Sequence, residues 1–217
     1  WAAAQKESGL YVAVFEMAGG ALNELRFAEP GKYDIPLSEK TSFEDFTRPR
    51  FVKPVANSDF AISAVADGAK LVVFRRSGKE GYGAYTEICD GINGAVAKTT
   101  SGYSAFYKTK LPGPVRGNSI FPGQLHHQAL DKDLKPVGEP TTPLADEVIY
   151  EVDVDVLDDK LVLFATAEES AILALGKTGQ QGGLELSQRT TLDITGILSC
   201  PSLLVADGAM NFCAFHE

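Results

Sequence analysis

The sequence predicts an all-β protein built from repeated antiparallel hairpins. A turn of small residues ending in Gly or Asp, followed by apolar and aromatic residues, occurs five times in the 217 residues. Its second turn residues are at positions 9, 68, 102, 159 and 208, so the steps are 59, 34, 57 and 49 residues. Alternation and β-branched residues recur, whereas long stretches with a helical period do not. A hairpin repeated about every 50 residues indicates a repeat architecture.

The first part of the chain is predicted to hold a hairpin and then an irregular excursion. Leu10 to Met17 and Leu22 to Phe27 are typical of two strands joined by the turn Gly19-Gly20. Residues Glu29 to Pro54 carry four prolines and several charges, so we expect a loop there with one short strand from Asp34 to Leu37. The two helical candidates, both too short to stand on propensity alone, are Ala2 to Lys6 and Ser38 to Phe46.

The rest of the chain is predicted to form three fuller units and a final half unit. Open strand edges favour pairing with a further strand, so we expect the half unit to be completed by the N-terminus or by a second chain. The predicted strands are Phe60 to Ala66, Leu71 to Arg75, Gly83 to Ile88, Ala95 to Thr99, Tyr103 to Lys108, Gly123 to Leu130, Glu147 to Val156, Leu161 to Thr166, Ala171 to Leu175, Leu184 to Arg189, Ser202 to Ala206 and Met210 to Phe215.

Gly123 to Pro140 resembles the third strand, turn and fourth strand of bacterial propeller repeats. With the five aligned hairpins, it makes the chain similar to the β-propeller class. The resemblance implies a single all-β domain over residues 1–217, either a propeller of about five blades or a partial propeller. The Trp-Asp, kelch, sialidase and integrin signatures are missing from the sequence, so the family within the class stays open.

A β-sandwich with long connections is the alternative fold, because hairpins at irregular spacing also suit two packed sheets. Lys70 to Phe74 and Lys160 to Ala165 are apolar almost throughout. Strands of this kind are buried on both faces, as they are between neighbouring propeller blades. These strands therefore favour the propeller.

Composition excludes some classes of partner. The formal net charge is −9, whereas binding to nucleic acid or anionic membranes needs clustered Lys and Arg. No apolar run approaches the 18 or so residues of a membrane-spanning helix. The chain begins at Trp1 rather than Met, so we expect a processed terminus or a boundary there. An acidic all-β chain of this kind favours an extracellular, periplasmic or other secretory compartment.

Three cysteines leave the redox state open. Cys200 and Cys213 flank the turn at Asp207-Gly208, so a hairpin there brings them to nearly opposite positions. A cross-strand disulfide is one interpretation, although a shift of one residue turns the two sulfurs to opposite faces. Buried free thiols are the other interpretation, with Cys89 as a third.

The densest acidic feature runs from Glu151 to Asp159. On a strand, Glu151, Asp153 and Asp155 share one face, and valines occupy the other. A calcium-like site formed by Asp153, Asp155 and Asp158 is one interpretation, without the spacing of an EF-hand loop. Asp153 and Asp155 are also the weak candidates for catalytic carboxylates of a glycoside hydrolase, although two carboxylates on one strand face do not supply opposite sides of a bond. A solvated acidic strand is the third interpretation.

Other side chains give weaker signals. His126 and His127 are consecutive on a predicted strand, so they point to opposite faces and do not share one metal ion. A serine-hydrolase elbow and phosphate-binding glycine loops are missing from the sequence. A group of tyrosines is a candidate floor for a sugar ring or a partner peptide, with packing in the core as the alternative. These candidate ligand-binding residues are Tyr82, Tyr85, Tyr103 and Tyr107.

We therefore expect a binding module rather than an enzyme, with no required cofactor apart from a possible calcium ion. Its ligand would be a protein or a glycan, bound through loops on one face. The candidate loops are Glu29 to Pro54, Leu111 to Ile120 and Gly176 to Gly183. Two alternatives stay open: a glycoside hydrolase with axial carboxylates, and a subunit or fragment that completes a larger propeller with another chain.

Overall fold

The computed structural model describes the backbone of residues 2–6, 9–18, 21–26, 46–52, 61–66, 69–75, 85–114, 120–179, 181–193, 198–206 and 208–216. The regular secondary structure of these residues is entirely β, which confirms the predicted class. No helix long and apolar enough to cross a membrane occurs among them. The predicted strand Asp34 to Leu37 and most of the helical candidate Ser38 to Phe46 lie outside the described residues.

The described residues form seventeen strands in five antiparallel sheets. Within each sheet the strands are hydrogen-bonded in chain order, so every sheet is a meander. Sheet 1 contains β1 (Ala2–Lys6), β2 (Gly9–Ala18) and β3 (Ala21–Arg26). Sheet 2 contains β4 (Phe46–Val52), β5 (Ala61–Ala66), β6 (Lys70–Arg75) and β7 (Thr86–Asp90).

The remaining sheets follow the same order along the chain. Sheet 3 contains β8 (Asn93–Lys98), β9 (Tyr103–Lys110), β10 (Gly123–Leu130) and β11 (Pro136–Thr141). Sheet 4 contains β12 (Glu151–Leu157), β13 (Lys160–Thr166), β14 (Ser170–Thr178) and β15 (Leu184–Asp193). Sheet 5 contains β16 (Leu198–Ala206) and β17 (Ala209–His216).

Sheets 3 and 4 are buried on both faces. Alternate residues of β13 supply two different apolar clusters: Leu161, Leu163 and Ala165 pack against sheet 3, and Val162 and Phe164 pack against sheet 5. The buried residues of sheet 3 divide in the same way: one set packs against sheet 4, and the other set packs against sheet 2. Each fully buried large apolar side chain contributes about 1.5–3 kcal/mol. The hydrophobic core is therefore a series of layers between successive sheets.

The first strands of successive sheets lie side by side. β4 contacts β8, β8 contacts β12, and β12 contacts β16, while β1 contacts β4. Residues 153 and 155 of β12 bond to residues 203 and 205 of β16, so these two strands run in the same direction. From sheet 2 onward the first strands begin at residues 46, 93, 151 and 198, at steps of 47, 58 and 47 residues. This period is more regular than the period of the turns.

The structure corrects two sequence predictions in the first part of the chain. Ala2–Lys6, a helical candidate, is strand β1, because its backbone pairs with β2 along its whole length. Phe46–Val52, placed in the irregular excursion, is strand β4. Its register with β5 shifts between Thr47 and Arg50, which accommodates Pro49 in a strand. The turn near Gly68 consequently joins the second and third strands of its sheet, whereas the other turns of the pattern join first and second strands.

The loops of sheets 3 and 4 divide between two ends. Residues 99–102, 131–135, 158–159, 179 and 181–183 lie at what we call the turn end. Residues 142–150 and the described residues of segment 111–122, which are 111–114 and 120–122, lie at the loop end. Two mutual backbone bonds of 2.9 Å between Gly123, the first residue of β10, and Ile149 fix segment 142–150 to sheet 3. The described residues of the predicted binding loops Leu111 to Ile120 and Gly176 to Gly183 therefore lie at opposite ends. Residues 176–178 of the latter belong to β14, which continues to Thr178.

Two glycines allow sheets 3 and 4 to meet backbone to backbone at the turn end. Gly138 has φ +68°, and a Cβ there would lie 2.0 Å from the carbonyl oxygen of Gln181. Gly182 has φ +83°, and a Cβ there would lie 2.0 Å from the carbonyl oxygen of Val137. Since real Cβ contacts are never this short, both positions require glycine for space as well as for conformation.

We predict that Gly182→Ala lowers the free energy of unfolding more than Gly208→Ala does. Gly208 is a matched control because its φ is +72° and nothing lies within 4 Å of a Cβ placed there. The left-handed conformation alone costs about 1–2 kcal/mol for alanine. Gly182→Ala adds the clash with Val137, so urea denaturation should show an additional loss of roughly 1 kcal/mol or more. Equal losses in the two variants would contradict the close backbone packing.

Candidate functional site

The carboxylates of Asp153 and Asp155 bind the backbone of sheet 5. One oxygen of Asp153 accepts the N–H of Leu203 at 2.9 Å, and one oxygen of Asp155 accepts the N–H of Val205 at 2.7 Å. The other oxygen of each carboxylate accepts the N–H of the following residue on β12 at 2.9 Å. The register with β13 places Glu151, Asp153 and Asp155 on one face, as predicted. The pair forms charge-assisted bonds between two strands.

The predicted metal-binding group is not assembled in the structure. Asp158 lies in the exposed turn after β12 with φ +47°, beyond the strand that carries Asp153 and Asp155. No group of three or more His, Cys, Asp or Glu side chains suited to a metal ion occurs in the described part of the chain. Asp153 and Asp155 of this acidic pattern instead accept backbone N–H groups of sheet 5.

His126 and His127 point to opposite faces of β10, in agreement with their alternation. The ring of His126 stacks on Tyr107 with centroids 5.3 Å apart, on the side of sheet 2. The ring of His127 is fully buried and lies 4.9 Å from the ring of Phe106, on the side of sheet 4. Burial lowers the pKa of both histidines, that of His127 to about 4. His127 is therefore neutral at pH 7.

A chain of hydrogen bonds joins His127 of sheet 3 to the neighbouring sheet 4. Its Nε2 lies 3.2 Å from the Ser104 hydroxyl, and its Nδ1 lies 3.4 Å from the Thr141 hydroxyl. The Ser104 hydroxyl in turn lies 3.1 Å from the Thr178 hydroxyl on sheet 4. Ser104 and His127 have the spacing of a nucleophile and its base, but both are fully buried, so a substrate does not reach them. The network holds sheets together.

Two of the four tyrosines of the predicted aromatic platform belong to the core. Tyr103 and Tyr107 are buried between sheets 2 and 3, with exposed fractions of 7% and 8%. Burial raises the pKa of the Tyr107 hydroxyl, and the nearby Cys89 and Asp90 raise it further. Tyr85 is half-buried, and Tyr82 lies outside the described residues. Tyr103 and Tyr107 thus follow the alternative interpretation, packing in the core.

Cys213 is a free, exposed thiol, and Ser202 is the residue directly opposite it on β16. The register between β16 and β17 shifts between Ser199 and Ser202, so Cys200 is displaced from the position that a bridge needs. The predicted disulfide is therefore not formed in this structure. Cys89 is also free, and burial raises the pKa of its thiol to about 12, with a further contribution from Asp90.

The loop end contains a buried cation that the sequence did not reveal. Lys108 is 1% exposed, and its ammonium donates to the carbonyl of Phe121 at 2.5 Å and to the carbonyl of Tyr150. Phe121 belongs to segment 111–122, and Tyr150 ends segment 142–150. Lys108 therefore ties the two loop-end segments to each other. Nothing local distinguishes this Lys from a solvated one, because its partners are distant in sequence.

Further contacts fix the same two segments. The N–H of Leu111 donates to the carbonyl of Pro122 at 2.9 Å, which closes segment 111–122 at its base. Arg189 of β15 binds both oxygens of Asp146, at 2.9 and 3.1 Å, and also Glu147. This bond to Arg189 lowers the pKa of the Asp146 carboxyl. Segment 142–150 is therefore held from sheet 3 and from sheet 4.

The buried side chain of Asn93 lies at the start of β8, directly across from Lys108. Neither its amide nitrogen nor its amide oxygen has a hydrogen-bond partner in the structure. A Cβ at the neighbouring Gly123 would lie 2.2 Å from Cγ of Lys108, so only glycine leaves room for the Lys stem. Asn93 and Lys108 thus form a pair of buried polar side chains at the loop end.

No protein family, curated protein or solved structure matches this chain. Its function therefore has to follow from the contacts of the described residues. These contacts divide the polar side chains into those that join sheets and those that fix the loop end. Asp153, Asp155, Ser104 and His127 join sheets, and Lys108 and Arg189 fix the loop end.

We predict that acid destabilises the protein through His127. Its folded pKa of about 4 lies below the ordinary value of 6.5, so the unfolded state binds the proton first. Stability is therefore full above pH 6.5 and falls as the pH drops toward 4. The loss reaches about 3 kcal/mol, since each pKa unit corresponds to about 1.4 kcal/mol.

The measurement is urea denaturation of the wild type and of His127→Gln between pH 7 and pH 4. The variant should be less stable than the wild type at pH 7, because it loses the imidazole nitrogens that bond to the hydroxyls of Ser104 and Thr141. Its stability should nevertheless fall less steeply with acid. Parallel pH profiles for the two proteins would show that His127 is not the buried titrating group.

Proposed function

We propose that this protein is a non-catalytic binding module of the propeller type, which recognises a protein or a glycan through its loop end. The observation that carries the proposal is the fixing of two loop segments at their ends: Lys108 bonds to Phe121 and Tyr150, and Gly123 of β10 pairs with Ile149. Loops whose ends are fixed in this way lose less conformational entropy on binding than loops with free ends. Binding residues are commonly carried on loops that a rigid scaffold positions.

The arrangement of the sheets supports the propeller scaffold. Sheets 3 and 4 bury both faces against their neighbours, and the first strands of successive sheets contact one another in series. Propeller blades are four-stranded antiparallel meanders that pack around a common axis in this order. A sandwich would instead place two large sheets face to face, each with one face open to solvent.

The polar contacts support a module that binds without catalysis. The candidate carboxylates Asp153 and Asp155 accept backbone N–H groups of sheet 5, and the Ser104–His127 pair is buried. A general acid or nucleophile must reach its substrate. These four groups are instead placed where they stabilise the contacts between sheets.

The loop end offers surface suited to recognition. Val148 in segment 142–150 is 41% exposed, and Pro112, Gly113 and Pro114 in segment 111–122 are exposed. The ammonium of Lys110 lies 3.9 Å from the centroid of the Phe121 ring, a cation–π contact at the same end. Exposed apolar groups near the ammonium of Lys110 are chemistry that suits both peptides and sugars.

The test is binding of the labelled protein to a glycan array and to a displayed random peptide library. Val148→Asp should lower the affinity for any ligand found by about tenfold or more, because a charge replaces apolar contact. Leu204→Asp is the matched control, since Leu204 is 49% exposed on β16 and lies outside the loop end. The control should bind as the wild type does.

Equal affinity of Val148→Asp and the wild type would contradict recognition through the loop end. Turnover of aryl glycosides that is lost in a folded Asp155→Asn variant would contradict the non-catalytic proposal. An absence of turnover together with retained ligand binding would support it.

A further inference from the structure

The amide of Asn93 is a buried polar group to which the described part of the chain gives no hydrogen bond. Asn93 is 1% exposed, and neither its amide nitrogen nor its amide oxygen has a partner there. Buried polar groups in proteins nearly always have a partner, which is either a protein group or an ordered water molecule. Asn93 therefore indicates a bound group beside it.

Asn93 faces sheet 4 from the first position of β8. Alternate residues of a strand share a face, so Asn93 lies on the same side of β8 as Ala95 and Ala97. Both alanines pack in the apolar cluster between sheets 3 and 4, and β8 lies beside β12 of sheet 4. The amide of Asn93 is therefore placed on the side of β12, at the loop end.

The next contact in the series shows what a polar side chain reaches from such a position. Asp153 and Asp155 face sheet 5 from β12, the first strand of sheet 4. Each accepts a backbone N–H group of β16, the first strand of sheet 5. Asn93 has the same relation to β12, since it lies on a first strand and faces the next sheet.

The edge of β12 that points away from β13 presents an N–H group at the loop end. The N–H groups of Val154 and Val156 point to this edge, where aspartate carboxylates accept them. Since the direction of the N–H group alternates along a strand, that of Val152 points to the same edge. Val152 is the second residue of β12, so its N–H group lies toward the loop end.

A buried hydroxyl repeats the arrangement between sheets 2 and 3. Ser63 is 0% exposed, and its hydroxyl has no hydrogen-bond partner in the described part of the chain. It shares a face of β5 with Ala61, which packs between these two sheets, and β5 contacts β8. Each contact between successive sheets from sheet 2 to sheet 5 thus has a polar side chain that faces the next sheet.

We infer that Asn93 binds an internal water molecule, which bridges its amide to the N–H group of Val152 across the contact between β8 and β12. The bound group has to be small because the amide is closed to solvent, and it has to donate and accept because the amide does both. Water meets both conditions, and a buried water makes about three hydrogen bonds to groups that otherwise have none. This site does not depend on the loop end being a binding surface.

The first test is a nuclear Overhauser experiment between water and the side-chain amide protons of the wild type. The amide of Asn93 should give cross-peaks with the sign of a bound, long-lived water. Asn211 is the matched control, because it is exposed on β17 and should give the sign of a surface water. Cross-peaks of surface sign at Asn93, or none at all, would overturn the inference.

The second test distinguishes a bridged amide from an unpaired one. Asn93→Leu keeps the number of side-chain heavy atoms and removes the amide. The equilibrium constant for unfolding, measured with urea, should rise about tenfold or more, because the bridge is lost and the N–H group of Val152 loses its partner. Amide hydrogen exchange of Val152 should become faster in the same variant.

An unpaired amide predicts the opposite sign, because its replacement by an apolar side chain removes a buried polar group. An Asn93→Leu variant more stable than the wild type would therefore overturn the inference. Asn211→Leu is the control and should leave the exchange of Val152 unchanged. If Asn93→Leu does not fold, the water cross-peaks of the wild type decide between the two outcomes.

Discussion

Sheets 3 and 4 carry apolar side chains on both faces, and the rest of the structure depends on covering both. Both faces of β13 are apolar, so a sheet built around it leaves surface exposed until a second and a third sheet pack against it. Successive sheets therefore stack in chain order, and their first strands become neighbours. The same constraint explains why function is to be sought at the ends of the strands, where the loops emerge.

Stacking sheets in this way buries backbone N–H groups at the edges of strands, and polar side chains supply their hydrogen-bond partners. The N–H groups of Leu203 and Val205 point away from β17, and without partners each would cost about 1–3 kcal/mol of stability when buried. Asp153 and Asp155 accept them. His127 with its hydroxyl partners joins sheets 3 and 4, and Lys108 holds the loop end. Asp153 and Asp155, the catalytic candidates of the sequence, thus bond between sheets 4 and 5.

Much of the strand order after residue 60 could be predicted because local signals agree there. Alternation, small turn residues and apolar bursts place β13 to within one residue and give the shared face of Glu151, Asp153 and Asp155, although β12 begins four residues later than predicted. Strand β4 was missed because Pro49 argues against a strand, and a shift of register that removes the conflict is visible only in the paired partner.

The role of Lys108 was missed because its two carbonyl acceptors lie 13 and 42 residues away in the sequence. Burial of Tyr103 likewise depends on which sheet covers it.

The central claim is that β12 and β16 lie side by side, joined by aspartate carboxylates, as part of a stack of sheets. Amide hydrogen exchange of Leu203 and Val205, followed residue by residue with NMR spectroscopy, tests it most directly. The structure predicts that both amides exchange slowly, as buried hydrogen-bonded groups do, and that both lose this protection in a folded variant carrying Asp153→Ala and Asp155→Ala. Exchange in the wild type as fast as that of an exposed strand edge would contradict the account.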